Sequence, residues 1–148
     1  MPTKSFRGMI ANESTQTIQL STNNGSIGYR IVKFQLMPDL PGTADVEHVV
    51  KIFSISQSGT PDGSVNFSDN TLLAVGYLVD SNAVGNTSYL STIFDNMVFN
   101  QDIYISHKGL VDASPCNYYL ELEQVKLDLN ENTVATLKDI RNIEASSV

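Results

Sequence analysis

The sequence predicts an all-β protein, a β-sandwich or jelly-roll-like single domain with a short C-terminal helix. Apolar and polar residues alternate with a period of two in several segments, and turn-forming residues separate those segments at short intervals. The chain is also rich in Ser, Thr and Asn, and charged residues make up only 17% of it, as is common in β-sandwiches. A chain of 148 residues can bury a core of its own, so we expect residues 1–148 to form one domain.

Eight or nine strands are expected, and turn signals separate them. The predicted strands cover residues 5–10, 17–21, 29–37, 47–57, 72–79, 92–94, 97–99, 103–107 and 117–129. The predicted turns cover residues 23–25, 39–45, 58–63, 80–88 and 109–115, where Gly, Pro, Asn and Asp accumulate. Residues 1–7 are expected to form an N-terminal arm or edge strand.

The segment Asn117–Leu129 shows a clear alternation whose phase changes midway. Its first apolar residues occupy the even positions 118, 120 and 122, and its later ones occupy the odd positions 125, 127 and 129. A strand with a side-chain period of two changes parity only through an extra residue or a bend. We therefore predict a bulge or bend near Gln124 and two packing surfaces for this strand.

Residues 132–142 carry a helical pattern instead. Asn132 suits an N-cap, and Lys138 and Arg141 suit the negative end of the helix dipole. An apolar stripe at helical spacing is formed by Val134, Leu137 and Ile140. This stripe is expected to pack either on the domain's own sheet or on a partner.

The formal net charge of −7 is unevenly distributed. Basic side chains outnumber acidic ones in residues 1–33, and acidic side chains predominate in the remainder. Nucleic acid is therefore not an expected partner, because phosphate binding needs a basic patch. No apolar run approaches the about 20 residues of a membrane helix, so no membrane partner is expected. The basic start of the chain is a candidate for docking on an acidic neighbour.

No group of residues in the sequence predicts catalysis. His48 and His107 lack a Cys or carboxylate at metal-ligand spacing, and we expect His48 to lie on a strand surface. Cys116 has no evident base and is expected to be a buried apolar residue. Glu121 and Glu123 are the one candidate pair for acid–base catalysis. We expect instead that the two side chains simply lie on a solvated strand face.

The loop residues Asp62, Asn66 and Asp69 carry oxygen ligands, but their spacing differs from that of an EF-hand. We expect them to form turns. No metal, cofactor or small-molecule substrate is therefore expected. One cysteine permits no intrachain disulfide, and no secretory signal is recognisable, so we expect assembly in a reducing cytoplasm.

Several segments carry a resemblance to a known family: KSFRGMI, TNNGSIGYRIVKFQ, FSDNTLLA, FDNMVFNQDIYI and CNYYLELEQVKLDLNENTVATLKDIRN. They resemble small proteins of marine tailed-bacteriophage genomes, most densely over residues 117–142. The resemblance implies a virion structural protein present in many copies. The family offers no catalytic motif to carry over to this chain.

On this basis we expect a capsid decoration or cement protein that binds the major capsid protein lattice, copies of itself, or both. The candidate docking residues are Lys4, Phe6, Arg7, Val134, Leu137 and Ile140. One alternative is a tail- or fibre-associated module that binds host glycans through loop tips, with Tyr89 as the main loop aromatic. Another is a small β-fold hydrolase, which rests on Glu121 and Glu123 alone.

Overall fold

A computed structural model of the protein describes residues 2–20, 26–81, 86–94 and 97–127. Its strands are β1 (Thr3–Ile10), β2 (Ser14–Ile18), β3 (Ile27–Pro38), β4 (Val46–Phe53), β5 (Leu72–Ser81), β6 (Asn86–Ile93), β7 (Ile103–Gly109) and β8 (Cys116–Lys126). No helix occurs in these four ranges, and the predicted all-β class is confirmed. The predicted helix at 132–142, with Val134, Leu137 and Ile140, lies outside the described residues.

The eight strands form two antiparallel sheets that share one hydrophobic core. The first sheet has three strands in the order β1-β8-β3, and the second has five in the order β2-β7-β4-β5-β6. Buried side chains from both sheets belong to a single cluster. Alternate residues of β1, β8 and β3 therefore point into the core, and the residues between them form an outer face.

The two sheets approach each other closely where β3 packs on β5. A Cβ atom on Gly76 would lie 2.8 Å from Cδ1 of Leu36 and 3.1 Å from Cε2 of Phe34. Ala74, on the same face of β5, is also small and has no exposed surface. Small residues on β5 thus make room for the large side chains of β3 in a densely packed interior.

The irregularity expected near Gln124 lies in the neighbouring strand instead. β8 pairs regularly with β3 from Leu122 to Lys126, and the register shifts between Ile31 and Lys33, where Val32 is the extra residue of β3. The prediction of a bulge at Gln124 is wrong, because the alternation of β8 continues without interruption and its later apolar residues lie on its other face. Val32, as the extra residue, is exposed.

Two packing surfaces do exist along β8. Leu120 and Leu122 are fully buried in the shared core, whereas Leu127, of the opposite parity, is buried against another part of the chain. A Cβ atom on Gly28 would lie 2.9 Å from Cγ1 of Val98 and 3.2 Å from Cδ1 of Leu127. The segment around Val98 therefore covers the second surface.

Most predicted boundaries shift by one or more residues, and the predicted strand 47–57 already ends at Phe53. Three other segments differ more in kind. β6 begins at Asn86, so residues that were expected to form a polar loop belong to a strand that pairs with β5. The predicted strand 97–99 is reduced to one bridge between Phe99 and Tyr29. The predicted strand 17–21 begins earlier, at Ser14. In each case, pairing with a neighbouring strand decided the boundary, and local composition did not.

The loop between β4 and β5 folds back over the outer face of the five-stranded sheet. The side chain of Lys51, on that face, donates a 2.7 Å hydrogen bond to the Ser64 carbonyl and lies 3.3 Å from Asp62. Phe67 of the loop contacts Phe94 edge to face, with ring centroids 5.2 Å apart. The loop therefore covers part of this face.

We expect Gly76→Ala to lower the free energy of unfolding by about 1–3 kcal/mol, because the added methyl displaces Leu36 and Phe34 in a packed core. Urea unfolding followed by circular dichroism measures the change. Ser88→Ala, at an exposed position of the adjacent strand β6, is the matched control and should change stability little. Equal stability of Gly76→Ala and the wild type would contradict the close approach of the two sheets.

Candidate interaction surface

Strand β1 carries the predicted docking residues that the structure describes, and it separates their side chains onto two faces. Lys4 pairs with Leu122 and Phe6 with Leu120, so both side chains share the core side of the sheet. Arg7 pairs with Tyr119 and lies on the outer face. Of the three, only Arg7 lies on the outer face of the sheet, although Lys4 is also exposed to solvent.

Lys4 and Phe6 make contacts within the fold. The Lys4 ammonium lies 5.8 Å from the centroid of the Tyr29 ring, within cation–π range, and 3.5 Å from the Leu20 carbonyl oxygen. Phe6 is partly buried and packs against the core cluster. These side chains therefore help to close the end of the core beneath β1.

The outer face of the three-stranded sheet has an apolar end and a charged end. At the apolar end, Met9, Asn117 and Met37 form one row across the sheet, because each is paired with its neighbour on the next strand. The next row consists of Arg7, Tyr119 and Gln35. We call these six residues the Met–Tyr face.

The charged end lies further along the same strands. Arg30 and Glu123 form an ion pair with a 3.2 Å separation, and Lys33 and Glu121 form a longer one at 3.8 Å. Each glutamate thus faces a cation on β3. This arrangement is that of cross-strand pairs on a solvated face.

The Met–Tyr face has the composition of a protein-binding surface. Met9 and Met37 are 55% and 60% exposed, although Met side chains are usually buried. An open groove of about 700 Å³ runs over these six residues, and its lining also includes Gly8, Leu36, Tyr118 and Tyr89 of β6. Arg7 makes no ion pair with a residue of the described ranges. Tyr, Met and Arg are enriched at interfaces, where flexible Met side chains adapt to a partner.

The alternation of side chains along each strand would have indicated part of this face from the sequence. Met9 and Arg7 have the same parity in β1, as have Met37 and Gln35 in β3, and that parity is opposite to the buried one. The sequence alone did not show where the bulge in β3 falls, and the bulge decides which residues of β3 share the outer face.

The second polar feature is a pair of histidines inside the core. His48 of β4 and His107 of β7 have no exposed surface, and Nδ1 of His48 lies 2.8 Å from Nε2 of His107. Nδ1 of His107 donates to the carbonyl oxygen of Ala11 at 3.1 Å, so His48 donates to His107. The expected position of His48 on a strand surface is wrong, because its side chain lies on the core side of β4 with those of Val50 and Ile52.

Protonation of this pair is unfavourable in the folded protein. Burial lowers the pKa of both histidines, and the neighbouring imidazole of His107 lowers the pKa of His48 further. The carboxylates of Asp112 and Asp39 act in the opposite direction on the pKa of His48. Nε2 of His48 is buried and makes no hydrogen bond with a described residue. The neutral pair is therefore the form that the core accommodates.

Cys116 is buried at the start of β8, as predicted. Burial raises the pKa of its thiol to about 12. The thiol lies 3.8 Å from the carbonyl oxygen of Met37. Cys116 is thus an apolar core residue in this fold, and its chemistry as a nucleophile is suppressed.

The predicted turn residues of the β4–β5 loop behave as expected. Oδ1 of Asp62 accepts hydrogen bonds from the backbone and hydroxyl of Ser64, and Oδ1 of Asp69 accepts the same pair from Thr71. Oδ1 of Asn66 closes a similar turn. Within the described ranges, no three His, Cys, Asp or Glu side chains are grouped as metal ligands.

No protein-family model matches the chain, and no curated protein matches it. In the part of the chain that the structure describes, no helix has the length and apolar character needed to cross a bilayer.

Acidification should destabilise the protein through the histidine pair. Both folded-state pKa values lie below the ordinary 6.5, so stability is complete above that pH and falls as the pH drops through the folded-state values. The loss approaches about 1.4 kcal/mol per pH unit for each histidine. Urea unfolding between about pH 5 and pH 8 measures this slope.

The matched variant for this measurement is His48→Asn, because the Asn amide nitrogen takes the place of the donating Nδ1. Its amide still donates to Nε2 of His107 but does not titrate, so the stability of the variant should depend less steeply on pH. The same slope in both proteins would contradict a role of His48 in the pH dependence.

The Cys116 thiol should react with a thiol reagent at least about 100-fold more slowly in the native protein than in denaturant, because it is buried and protonated. Absorbance of the released thiolate reports the rate. Ser88→Cys places a second thiol at an exposed position of β6 and should react rapidly under native conditions. Rapid native labelling of Cys116 itself would show that β8 opens readily.

Proposed function

We propose that this chain is a non-enzymatic virion structural protein of a tailed bacteriophage, a decoration or cement protein that binds the major capsid protein lattice and stabilises the head. The observation that carries the proposal is the Met–Tyr face, an open surface on a rigid sheet. The resemblance of the sequence to small phage virion proteins supports it. The place of action is then the virion, after assembly in the host cytoplasm.

The proposed architecture is a β-sandwich or jelly-roll-like body. Two antiparallel sheets with a common core support this finer description. Such a body holds one outer face rigid while its core stays closed to solvent. A cement protein needs this property, because its binding surface must keep its shape on many equivalent sites.

Avidity is the proposed mechanism of stabilisation. A protein that bridges neighbouring capsomers gains effective concentration when one of its contacts is already made. We therefore expect weak binding to isolated capsid subunits and strong binding to the assembled lattice. Equal affinity for the two forms would remove the cement mechanism.

The glycan-binding alternative loses its principal residue. Tyr89 lies in strand β6, and its hydroxyl donates a 2.5 Å hydrogen bond to the Phe34 carbonyl oxygen. A side chain held in this way helps to join β6 to β3. It is therefore not the exposed loop aromatic on which the glycan hypothesis depended.

We expect Met37→Glu to weaken binding to heads by at least about tenfold, because a buried interface does not readily accept an unpaired carboxylate. Co-sedimentation with mature heads that lack the protein measures the affinity, and tails serve as a second target. The control is Leu90→Glu, the same change at a residue that is 71% exposed on the five-stranded sheet.

Wild-type protein and Leu90→Glu should bind heads equally and to saturation. Loss of binding by Leu90→Glu but not by Met37→Glu would place the interface on the other sheet. Binding to tails alone would contradict the decoration proposal and support the tail-associated alternative.

A further inference from the structure

The outer edge of β1 is open in the described structure. β1 is the terminal strand of its sheet and pairs only with β8. The one hydrogen bond to the backbone of this edge that comes from elsewhere in the described ranges is from Nε2 of Gln16 to the Met9 carbonyl oxygen, at 3.5 Å. An open strand edge offers its backbone groups to another strand.

The hydrogen-bonding pattern of β1 shows which residues have their backbone N–H and C=O groups on this open edge. The backbone N–H of Gln124 donates to the Pro2 carbonyl oxygen, so Pro2 and each second residue after it turn their backbone groups toward β8. Thr3, Ser5 and Arg7 therefore point their N–H and C=O groups away from the sheet.

We propose that a second copy of this chain pairs with β1 through its own β1, antiparallel, around a twofold axis at Phe6. The two three-stranded sheets then form one sheet with the strand order β3-β8-β1-β1-β8-β3. This pairing does not depend on capsid binding.

The register follows from parity and charge. Residues whose backbone N–H and C=O groups point away from β8 must lie opposite such residues of the second copy. These residues alternate along β1, so the twofold axis passes through a residue and not between two residues. An axis at Lys4 or at Arg7 would set like charges directly opposite each other, which is unfavourable. An axis at Ser5 would pair only Thr3 to Arg7. The axis at Phe6 pairs Thr3 with Met9 and Ser5 with Arg7, and it uses most of the strand.

Charge complementarity favours the same register. Arg7 of one copy lies opposite Ser5 of the other, and Ser5 is paired on its far side with Glu121. The small Ser5 side chain lets the guanidinium reach toward Glu121 across about two strand spacings, roughly 10 Å between Cα atoms. Glu121 has acceptor capacity for this contact, because its own ion pair with Lys33 is long.

Hydrophobic contact adds to the pairing at the axis. Phe6 is only partly buried by its own core. In the proposed register its ring meets the same ring of the second copy in a non-hydrogen-bonded pair, where Cα atoms approach to about 4.5 Å. Lys4 lies opposite Gly8, so the cation meets no side chain that would repel it.

Sedimentation velocity over a concentration series tests the pairing with Ser5→Pro. Proline removes an N–H that points away from β8, so it spares the β1–β8 hydrogen bonds and blocks the edge. We expect self-association to weaken by at least about tenfold, because the twofold symmetry removes two intermolecular hydrogen bonds, one donated by each copy. Ser5→Thr is the control and should associate like the wild type. A monomeric wild type up to millimolar concentration would overturn the proposal.

Disulfide trapping tests the register separately. In a Cys116→Ser background, Phe6→Cys should form a disulfide-linked dimer, because the two Cα atoms lie within the range a disulfide spans. Ser5→Cys and Arg7→Cys should not, since each thiol then faces the other position. Efficient trapping at residue 5 or 7, or none at residue 6, would overturn the register.

Discussion

Strand β8 is the element on which the rest of this structure depends, because it is the central strand of the three-stranded sheet and one side of it faces the core while the other carries the candidate surface. Its even-numbered residues, from Cys116 to Leu122, supply the middle of the core. Its odd-numbered residues form the centre of the outer face, with Tyr119 beside two methionines and the glutamates beside basic residues of β3. One alternating strand thus fixes both the buried side of the sheet and the surface proposed for binding.

The sequence predicted the larger part of the fold, because alternation is strong where a strand has one buried face. The strands that became β3, β4, β5, β7 and β8 were expected close to their observed positions. The change of phase in β8 was also visible, and it marks the second surface, on which Leu127 is buried. The bulge in β3 was not visible, because Val32 looks like an ordinary member of an alternating strand. Only the pairing of β3 with β8 shows that the extra residue is there, since register is a property of two strands.

The candidate surface was less predictable than the fold. Lys4 and Phe6 were chosen for charge and position, yet their parity places them on the core side of the sheet, where Lys4 stays exposed, and only Arg7 lies on the outer face. The contact between His48 and His107 joins residues that are far apart in sequence, so no local pattern indicates it. Buried polar pairs of this kind depend on strand order, which a single sequence does not specify.

Protection of Met37 from oxidation is the most direct test of the proposal that the Met–Tyr face binds the capsid lattice. Met37 is 60% exposed in the free protein and should be oxidised readily by peroxide or hydroxyl radicals. Mass spectrometry of protein bound to heads should show strong protection of Met37 relative to the free protein. Equal oxidation of Met37 in free and head-bound protein would contradict binding through this face.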